Sequence, residues 1–367
     1  MTIGNWKVRL GVSLAVSLAA VAAEACSAIL VGRKASATGR VIVGHNEDNG
    51  PGPMRHSWVA RTDDHLGYFW SELPGSNTGD MFLNECGVIV FSNSAGKSRE
   101  KGAAADILVD GGVWYEIRKS VGERARTARE GVRIAAELVR TRGYSDSGRI
   151  YTIADRDEAW MIQIVRGRHF AAARCPDDAI AIMPNFYTLH DLTKFDPADA
   201  FASPDIVDYA KAQGWYDGKG AFDFAKAYQD PTWYRHPNSS ARYRNMAESL
   251  LGRPWTDEDF PFCIVPGRKI GAVDLRTALS LHAPGVTANP HEAGEGKGNV
   301  CRASTLESIV CAFGEEPRDV VLDAAWGCPC EKGYTALRPL AGCGESAGGA
   351  AARRQSRRMR LSNSKEK

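Results

Sequence analysis

Residues 26–32 read CSAILVG and residues 40–48 read RVIVGHNED, and these two runs decide the fold. Both contain aliphatic, β-prone residues, and the small and polar residues 37–39 (ATG) separate them. This pattern predicts two neighbouring strands, over Ser27–Gly32 and Arg40–Gly44, joined by a turn. Cys26 directly precedes the first predicted strand, so its chemical state depends on what happens to the residues before it.

The first 25 residues have the form of a secretory signal peptide. Lys7 and Arg9 precede an apolar run from Leu10 to Ala23, which would span only about 21 Å as a helix against roughly 30 Å of bilayer hydrocarbon. Residues 23–25 (AEA) then form an A-x-A cleavage site. The sequence therefore predicts processing by signal peptidase after residue 25 and a secreted or periplasmic protein with no membrane attachment once processed.

Cleavage after Ala25 makes Cys26 the first residue of the mature chain. A free α-amino group has a pKa of about 7.7–8.0, so it can take the proton of a thiol on the same residue. The sequence thus predicts that Cys26 is a nucleophile, that its own amine is the general base, and that no metal or cofactor is needed. One alternative stays open, because a lipoprotein signal also ends at a Cys: an envelope binding protein with a lipidated Cys26.

Composition and charge exclude several classes of protein. The 367 residues are 44% hydrophobic and 25% charged, which is typical of a globular protein. Residues 351–367 contain seven Lys or Arg and one Glu, so residues 26–350 are acidic overall, and nucleic acid is not predicted as a partner. Residues 344–367 are expected to form a disordered basic tail, and residues 26–343 to form one catalytic domain. Homo-oligomerisation is left open.

Further along the chain, strand patterns occur in clusters with helical patterns between them, which predicts an α+β fold. Apolar residues spaced by three and four from Val113 to Val139 predict a helical stretch that is interrupted at Gly122. Thr127 and Glu130 form a capping box for its second half. The other predicted elements are strands around 58–61, 68–70 and 87–91, a hairpin over 150–165, a helix over 270–282, and strands over 308–313 and 319–324.

Nine cysteines are present, and their spacing predicts no metal site. Cys328-Pro329-Cys330 lacks the C-x-x-C spacing of a zinc knuckle or a redox motif. His291-Glu292 is followed at position 295 by Glu and not by the second His of a zinc-binding helix.

Taken together, the stretches around Cys26 and His45 resemble the dipeptidase A and secernin-like family of cysteine N-terminal nucleophile (Ntn) hydrolases, which is related to penicillin V acylase and bile salt hydrolase. Later segments fit the same family in order, so the resemblance covers residues 26–340. These segments are 84–88 (NECGV), 123–130 (ERARTARE), 153–155 (IAD), 158–160 (EAW), 176–178 (PDD), 305–308 (TLES) and 326–330 (WGCPC), with Cys301 and Tyr334.

The resemblance implies a four-layer αββα sandwich with two stacked, mostly antiparallel sheets. It also implies hydrolysis of linear amide bonds, typically in dipeptides, with a small peptide or amide as substrate. An amidase that acts on N-acylated small molecules, of the penicillin V or bile-salt type, remains the alternative enzyme.

The resemblance further implies roles for individual residues. Asp48 matches the acidic residue that holds the N-terminal amine in the related amidases. Asn93, with Ser94 as the alternative by one step of register, and Asn185 match amides that stabilise the oxyanion. Arg242 matches the distant Arg that completes the site.

His45 departs from the family pattern, because the related amidases carry Arg three residues before the Asp. We expect a neutral imidazole at pH 7 to support a thiolate less than a guanidinium does. His45 is therefore predicted to contact substrate. Glu307, near the late strands, is interpreted as structural.

Overall fold

The computed structural model describes residues 26–342, apart from residues 51, 53, 73–78, 100–107, 258, 286–290 and 292–297. The predicted signal peptide (1–25), Cys343 and the predicted tail (344–367) lie outside the described residues. Within the part of the chain that is described, no helix combines the length and apolarity needed to cross a membrane.

The strand that begins after Cys26 lies in a six-stranded antiparallel sheet. The two strands predicted after Cys26 and after Gly39 pair directly with each other, as the sequence predicts. A strand from late in the chain pairs with the other side of the second of them. In sheet order the strands are β10 (Ile180–Met183), β1 (Ser27–Val31), β2 (Ile42–Asp48), β12 (Thr305–Ala312), β13 (Val321–Trp326) and β14 (Thr335–Leu337).

A second sheet has eight strands, and each of them also pairs antiparallel with its neighbours. In sheet order the strands are β11 (Ala200–Ala202), β9 (Phe170–Arg174), β8 (Ala159–Gly167), β7 (Tyr144–Ala154), β6 (Ile89–Ser94), β5 (Gly79–Asn84), β4 (Tyr68–Glu72) and β3 (Arg55–Val59).

Three apolar clusters define the layers. One fills the space between the sheets, with Leu30 and Val43 from the first sheet facing Leu83 and Phe91 from the second. The helices α1 (Glu116–Arg124) and α2 (Ala128–Arg142) cover the outer face of the eight-stranded sheet. The helices α5 (Pro237–Leu251) and α6 (Ala272–Leu279) cover the outer face of the other sheet. The predicted four-layer αββα sandwich is confirmed. The described residues also form three shorter α-helices: α3 (Ile206–Ala212), α4 (Phe224–Tyr228) and α7 (Pro329–Lys332).

The predicted helical stretch is two helices, but its break lies elsewhere than at Gly122. Thr127 caps α2 and accepts a hydrogen bond from the backbone N–H of Glu130 at 3.1 Å, as predicted. Gly122 lies inside α1, where a Cβ atom would approach the Cβ of Phe82 to 2.8 Å. Glycine therefore allows the helix to lie close to the sheet, and the chain leaves helical geometry only at Ala125.

Strand β2 runs four residues beyond the predicted end at Gly44. Residues 45–48 are paired with β12 and do not form a loop, although the register shifts between Thr305 and Glu307. Strand geometry therefore fixes the direction of each of these polar side chains. The sequence patterns had not indicated five strands: β5, β9, β10, β11 and β14.

Candidate active site

Strand alternation places the Cys26 side chain on the inner face of the six-stranded sheet. Ala28 and Leu30 of β1 point into the core between the sheets, and side chains two residues apart share a face. The Cys26 thiol is buried and donates to Oε2 of Glu47 at 3.5 Å. Glu47 belongs to the corresponding inner face of β2, together with Val43 and His45.

A chain of buried charges continues from Glu47 into the eight-stranded sheet. Nε2 of His45 lies 3.5 Å from Oε2 of Glu47 and 3.3 Å from Oδ2 of Asp80. Nη1 of Arg118, on α1, donates to Oδ1 of Asp80 at 2.9 Å and to the Asp80 carbonyl at 3.0 Å. The His45 ring also stacks on Phe91, with 4.6 Å between centroids. This series of contacts therefore connects the Cys26 thiol to α1, on the far side of the eight-stranded sheet.

The buried environment sets the charge on His45, Glu47 and Asp80. Burial lowers the pKa of His45, but the Asp80 carboxylate, with a smaller contribution from Glu47, overcomes this effect and raises the pKa of His45 to about 10. Burial, together with the charge of Asp80, raises the pKa of Glu47 to about 8. Burial opposes the ionisation of Asp80, but His45 and Arg118 hold the pKa of that carboxyl well below its usual range. At neutral pH the cluster therefore holds an imidazolium, an Asp80 carboxylate and a largely protonated Glu47.

The expectation of a neutral imidazole at position 45 is therefore wrong. Asp80 was not part of the sequence argument, and its carboxylate keeps the His45 ring charged at pH 7. The protein thus has a cation, the His45 imidazolium, at the position where the related amidases have Arg.

Replacing Glu47 by Gln is expected to reduce the pH dependence of stability between pH 6.5 and 8. The pKa of Glu47 is raised from 4.5 to about 8, and the pKa of His45 from 6.5 to about 10. The folded chain therefore holds more protons than the unfolded chain in this window, and the free energy of unfolding falls as the pH rises. Each group contributes up to about 1.4 kcal/mol per pH unit. The variant lacks the Glu47 ionisation and should lose that share of the slope.

Urea unfolding at pH 6.5, 7.25 and 8 measures this slope for the unmodified chain and for Glu47→Gln. Glu137→Gln is the matched control, because the Glu137 side chain is 57% exposed on α2 and forms an ion pair with the exposed Arg140 at the surface. Its slope should equal that of the unmodified chain. An unchanged slope in Glu47→Gln would contradict the burial-driven titration of Glu47.

Arg242 organises the opposite, outer face of the same sheet. Its Nη1 donates to the Cys26 carbonyl at 3.0 Å and to Oγ of Ser27 at 2.9 Å. Its Nη2 donates to Oδ1 of Asn185 and to Oγ of Ser239, the latter at 3.2 Å. The side chain is 1% exposed. A single buried guanidinium therefore fixes both the backbone of Cys26 and the side-chain amide of Asn185.

Asp48 lies on this outer face and not on the face of the thiol, because it is one residue beyond Glu47. Oγ1 of Thr305 donates to Oδ1 of Asp48 at 2.6 Å. Burial raises the pKa of Asp48 to about 6, although the charges of Arg302 and Arg242 and the Thr305 hydrogen bond act against this shift. The thiol therefore faces Glu47, whereas Asp48 is held by β12 and the buried arginines.

Asn93 and Asn185 lie where the two sheets meet. Nδ2 of Asn93, on β6, donates to the Met183 carbonyl at the end of β10, at 3.4 Å. Nδ2 of Asn185, just after β10, donates to the Ser94 carbonyl at the end of β6, at 2.7 Å. Both side chains are buried. The two amides therefore connect the sheets reciprocally, and Asn185 is joined through Arg242 to Cys26.

Comparison with known protein families gives a match over the middle of the chain. The model described as "Peptidase family C69" matches residues 84–308, which is more than half of the chain. The chain belongs to peptidase family C69.

Curated relatives agree with membership of family C69. A "Probable dipeptidase" of Salmonella dublin is 27% identical over 301 residues, covering 73% of this chain and 68% of the relative. A "Probable dipeptidase B" of Streptococcus pyogenes serotype M6 is 28% identical over 256 residues, covering 62% of this chain and 51% of the relative. The match thus spans about two thirds of the first relative's length and about half of the second's.

Two solved structures are also similar to this family C69 chain. The N-acylethanolamine-hydrolyzing acid amidase ortholog of Caenorhabditis elegans is 16% identical, with a TM-score of 0.36, over 78% of this chain and 92% of that chain. A mutant of the conjugated bile acid hydrolase of Clostridium perfringens is 8% identical, with a TM-score of 0.38, over 86% and 92% of the two chains.

In this member of family C69, sequence reasoning missed Glu47, Asp80 and Arg118. Glu47 could have been found, because it is two residues beyond His45 in a strand and therefore on the same face. Asp80 precedes no recognisable motif, and Arg118 lies within an ordinary helical pattern. Only the stacking of the two sheets brings these residues to the thiol.

Proposed function

We propose that this chain is an exported cysteine-type Ntn hydrolase that cleaves linear amide bonds, most effectively in dipeptides. One observation carries the proposal. Cys26 follows an A-x-A cleavage site, and its thiol lies against Glu47 while Arg242 holds its carbonyl. Membership of a peptidase family supports the reaction class. The names of the dipeptidase relatives favour dipeptides as the substrate.

In the proposed acylation step, the α-amine of Cys26 takes the thiol proton and Sγ attacks the scissile carbonyl carbon. The new C–S bond gives a tetrahedral oxyanion. The C–N bond then breaks, the ammonium returns its proton to the departing amine, and a thioester remains. Water attacks this thioester, the α-amine takes the proton of the water, and the C–S bond breaks to release the acid and the thiol.

Asn93 and Asn185 are the proposed oxyanion donors. One N–H of the Asn185 amide donates to Ser94, which orients the group, and its second N–H is assigned to the oxyanion. A well-placed amide donor contributes about 2.7–4 kcal/mol to such a step. Arg242, which contacts both Asn185 and the Cys26 carbonyl, supports this role as a positioning residue.

Asp48 is proposed to hold the α-ammonium, and its place at the end of β2 supports this assignment. His45 was predicted to contact substrate, and that prediction remains to be tested. Its pairing with Asp80 supports a second role, since an imidazolium near Glu47 contributes positive charge beside the thiol.

A small substrate suits this site. The Cys26 side chain is fully buried in the full-length chain, and its neighbours Glu47, His45 and Asp80 are buried as well. Buried, ionisable side chains around the thiol favour a short peptide with charged ends over a folded protein. Export, processing by signal peptidase and a secreted or periplasmic location form part of the same proposal, and residues 1–25 are its support.

A substrate panel tests this proposal. The chain that begins at Cys26 is assayed with dipeptides, penicillin V and taurine-conjugated or glycine-conjugated bile acids. We expect kcat/KM to be about tenfold or more higher for the best dipeptide than for any N-acyl substrate. The reverse order would replace the dipeptidase with an N-acyl amidase. If no substrate is hydrolysed and the intact mass of host-produced protein shows an acylated Cys26, the chain is a lipid-anchored envelope protein.

A further inference from the structure

Four metal-ligating side chains converge outside the candidate active site. The Nε2 atoms of His282 and His291 and the Sγ atoms of Cys301 and Cys330 all lie within 4.8 Å of one another. The two Nε2 atoms are 3.3 Å apart, and the two Sγ atoms are 3.4 Å apart. Nε2 of His291 lies 3.6 Å from Sγ of Cys301 and 3.5 Å from Sγ of Cys330.

These distances can be compared with the edges of a zinc tetrahedron. With Zn–S of about 2.3 Å and Zn–N of about 2.0–2.1 Å, tetrahedral angles give edges of roughly 3.3 Å for N–N, 3.6 Å for S–N and 3.8 Å for S–S. The observed N–N and S–N separations match, and the S–S separation is slightly shorter. Four of the six edges therefore have about the length that one tetrahedral cation requires, and the two edges from His282 to the sulfurs are at most 4.8 Å.

A second contact is typical of a metal-bound histidine. Nδ1 of His291 lies 2.9 Å from Oε1 of Glu331, the residue after Cys330. Histidine ligands commonly donate their other ring N–H to a carboxylate, which fixes the ring and leaves Nε2 to bind the metal. Glu331 thus orients His291 toward the centre of the cluster.

We propose that His282, His291, Cys301 and Cys330 bind one structural Zn²⁺ ion. Two thiolates neutralise the charge of the cation, and the Cys₂His₂ donor set is one that zinc prefers. Four protein ligands leave no open position, so the ion has a structural and not a catalytic role. This site is separate from the proposed hydrolase chemistry and does not depend on it.

The ion would join segments that support the active-site strand. The backbone N–H groups of Val300 and Cys301 donate to the Leu281 carbonyl, next to His282. Nδ2 of Asn46, on β2, donates to the carbonyls of Val300 and Leu279 at 3.0 and 2.9 Å. Zinc therefore holds the end of α6, the segment before β12 and the short helix α7 together beside β2.

The spacing of the cysteines and histidines in the sequence predicts no metal site, and this proposal replaces that prediction. Neither the CPC motif nor the HE pair matches a zinc motif with local spacing when each is taken by itself. The ligands proposed here come from positions 282, 291, 301 and 330, and only one residue of each motif takes part. No short spacing rule covers a site assembled in this way.

Metal titration of the full-length protein tests the proposal. Protein freed of metal by a chelator, and kept reduced under anaerobic conditions, is titrated with Zn²⁺ against a chromophoric chelator. We expect one equivalent to bind with a Kd on the order of 10⁻⁷ M or tighter. Titration with Co²⁺ should give the intense visible bands of a tetrahedral ion and a thiolate-to-metal charge-transfer band, and these spectra need no variant.

Variants then identify the ligands. Cys301→Ser and His291→Ala should each weaken zinc binding by about 100-fold or more. Cys86→Ser is the matched control, because Cys86 is a half-buried thiol in the turn between β5 and β6, whereas Cys328 lies close to His291 and Glu331 and is itself a possible ligand. It should keep the affinity within about threefold. Cys26→Ala should also keep it, which separates this site from the Cys26, His45 and Glu47 group.

Three results would each overturn the zinc site. The first is the absence of a bound equivalent in reduced protein. The second is a Co²⁺ spectrum of an octahedral ion without charge transfer. The third is a Cys301–Cys330 disulfide in protein purified from the native compartment, detected by mass after alkylation without reduction. Zinc loss in Cys328→Ser combined with retention in Cys301→Ser would overturn the ligand set.

Discussion

Replacing Cys26 by Ala is expected to lower kcat/KM for dipeptides by about 10⁴-fold or more, because the substitution removes the atom that forms the thioester. The substitution removes only one sulfur from a buried position, so the fold and the binding of substrate should persist. Stopped-flow or initial-rate assays measure kcat/KM, and calorimetric titration with a dipeptide measures the binding of substrate.

Other cysteines of the chain provide controls. Burial raises the pKa of the Cys175 and Cys311 thiols well above the usual value and that of Cys263 to about 11, so these thiols are poor nucleophiles near neutral pH. Cys86, in the turn between β5 and β6, is half-buried, and Cys86→Ala should leave kcat/KM within about threefold. If Cys26→Ala keeps more than about one per cent of the activity, Cys26 is not the nucleophile.

A chain that keeps a single extra residue, beginning at Ala25, is expected to lose about 10²–10⁴-fold in kcat/KM against a chain that begins at Cys26. The extra residue converts the α-amine of Cys26 into an amide, which cannot accept the thiol proton. The thiol and the rest of the described fold are unchanged. Both chains can be released from the same fusion by proteases that cut at the two positions, and intact mass confirms each N-terminus.

The pH profile provides a second readout for this pair. In the chain that begins at Cys26, kcat/KM should rise with pH as the α-ammonium loses its proton, near its ordinary pKa of about 7.7–8.0. Equal activity of the two chains would mean that the base is not the amine. In that case Glu47, whose Oε2 lies 3.5 Å from the thiol, becomes the proton acceptor to test next, at a pH above its raised pKa of about 8.

Much of the fold could be predicted because it depends on local patterns. The aliphatic runs at 26–32 and 40–44 predicted two paired strands, and β1 and β2 pair directly. The capping box at Thr127 predicted the start of α2. By contrast, the helix break was assigned to Gly122 because an isolated glycine usually weakens a helix, whereas here its contact with Phe82 requires it.

The site was predictable only in part. Cys26 could be identified from the cleavage site before it, because that signal is contained in a few consecutive residues. Asp80 and Arg118 could not be identified in this way, because they reach His45 only through the stacking of one sheet on the other. The charge of His45 was misjudged for the same reason, since a pKa responds to neighbours in space and not in sequence.

The sequence by itself predicted the attacking atom that we propose and many of the strands and helices around it, since a cleavage signal, the residue after it and strand periodicity are all properties of short segments. The tertiary structure decided which charges face that atom and which histidines and cysteines meet near α7. Pairing β2 with β12 and stacking two sheets brings together residues that are tens to hundreds of positions apart. Electrostatic and coordinative interactions act over a few ångströms, so they exist only after that long-range packing is complete.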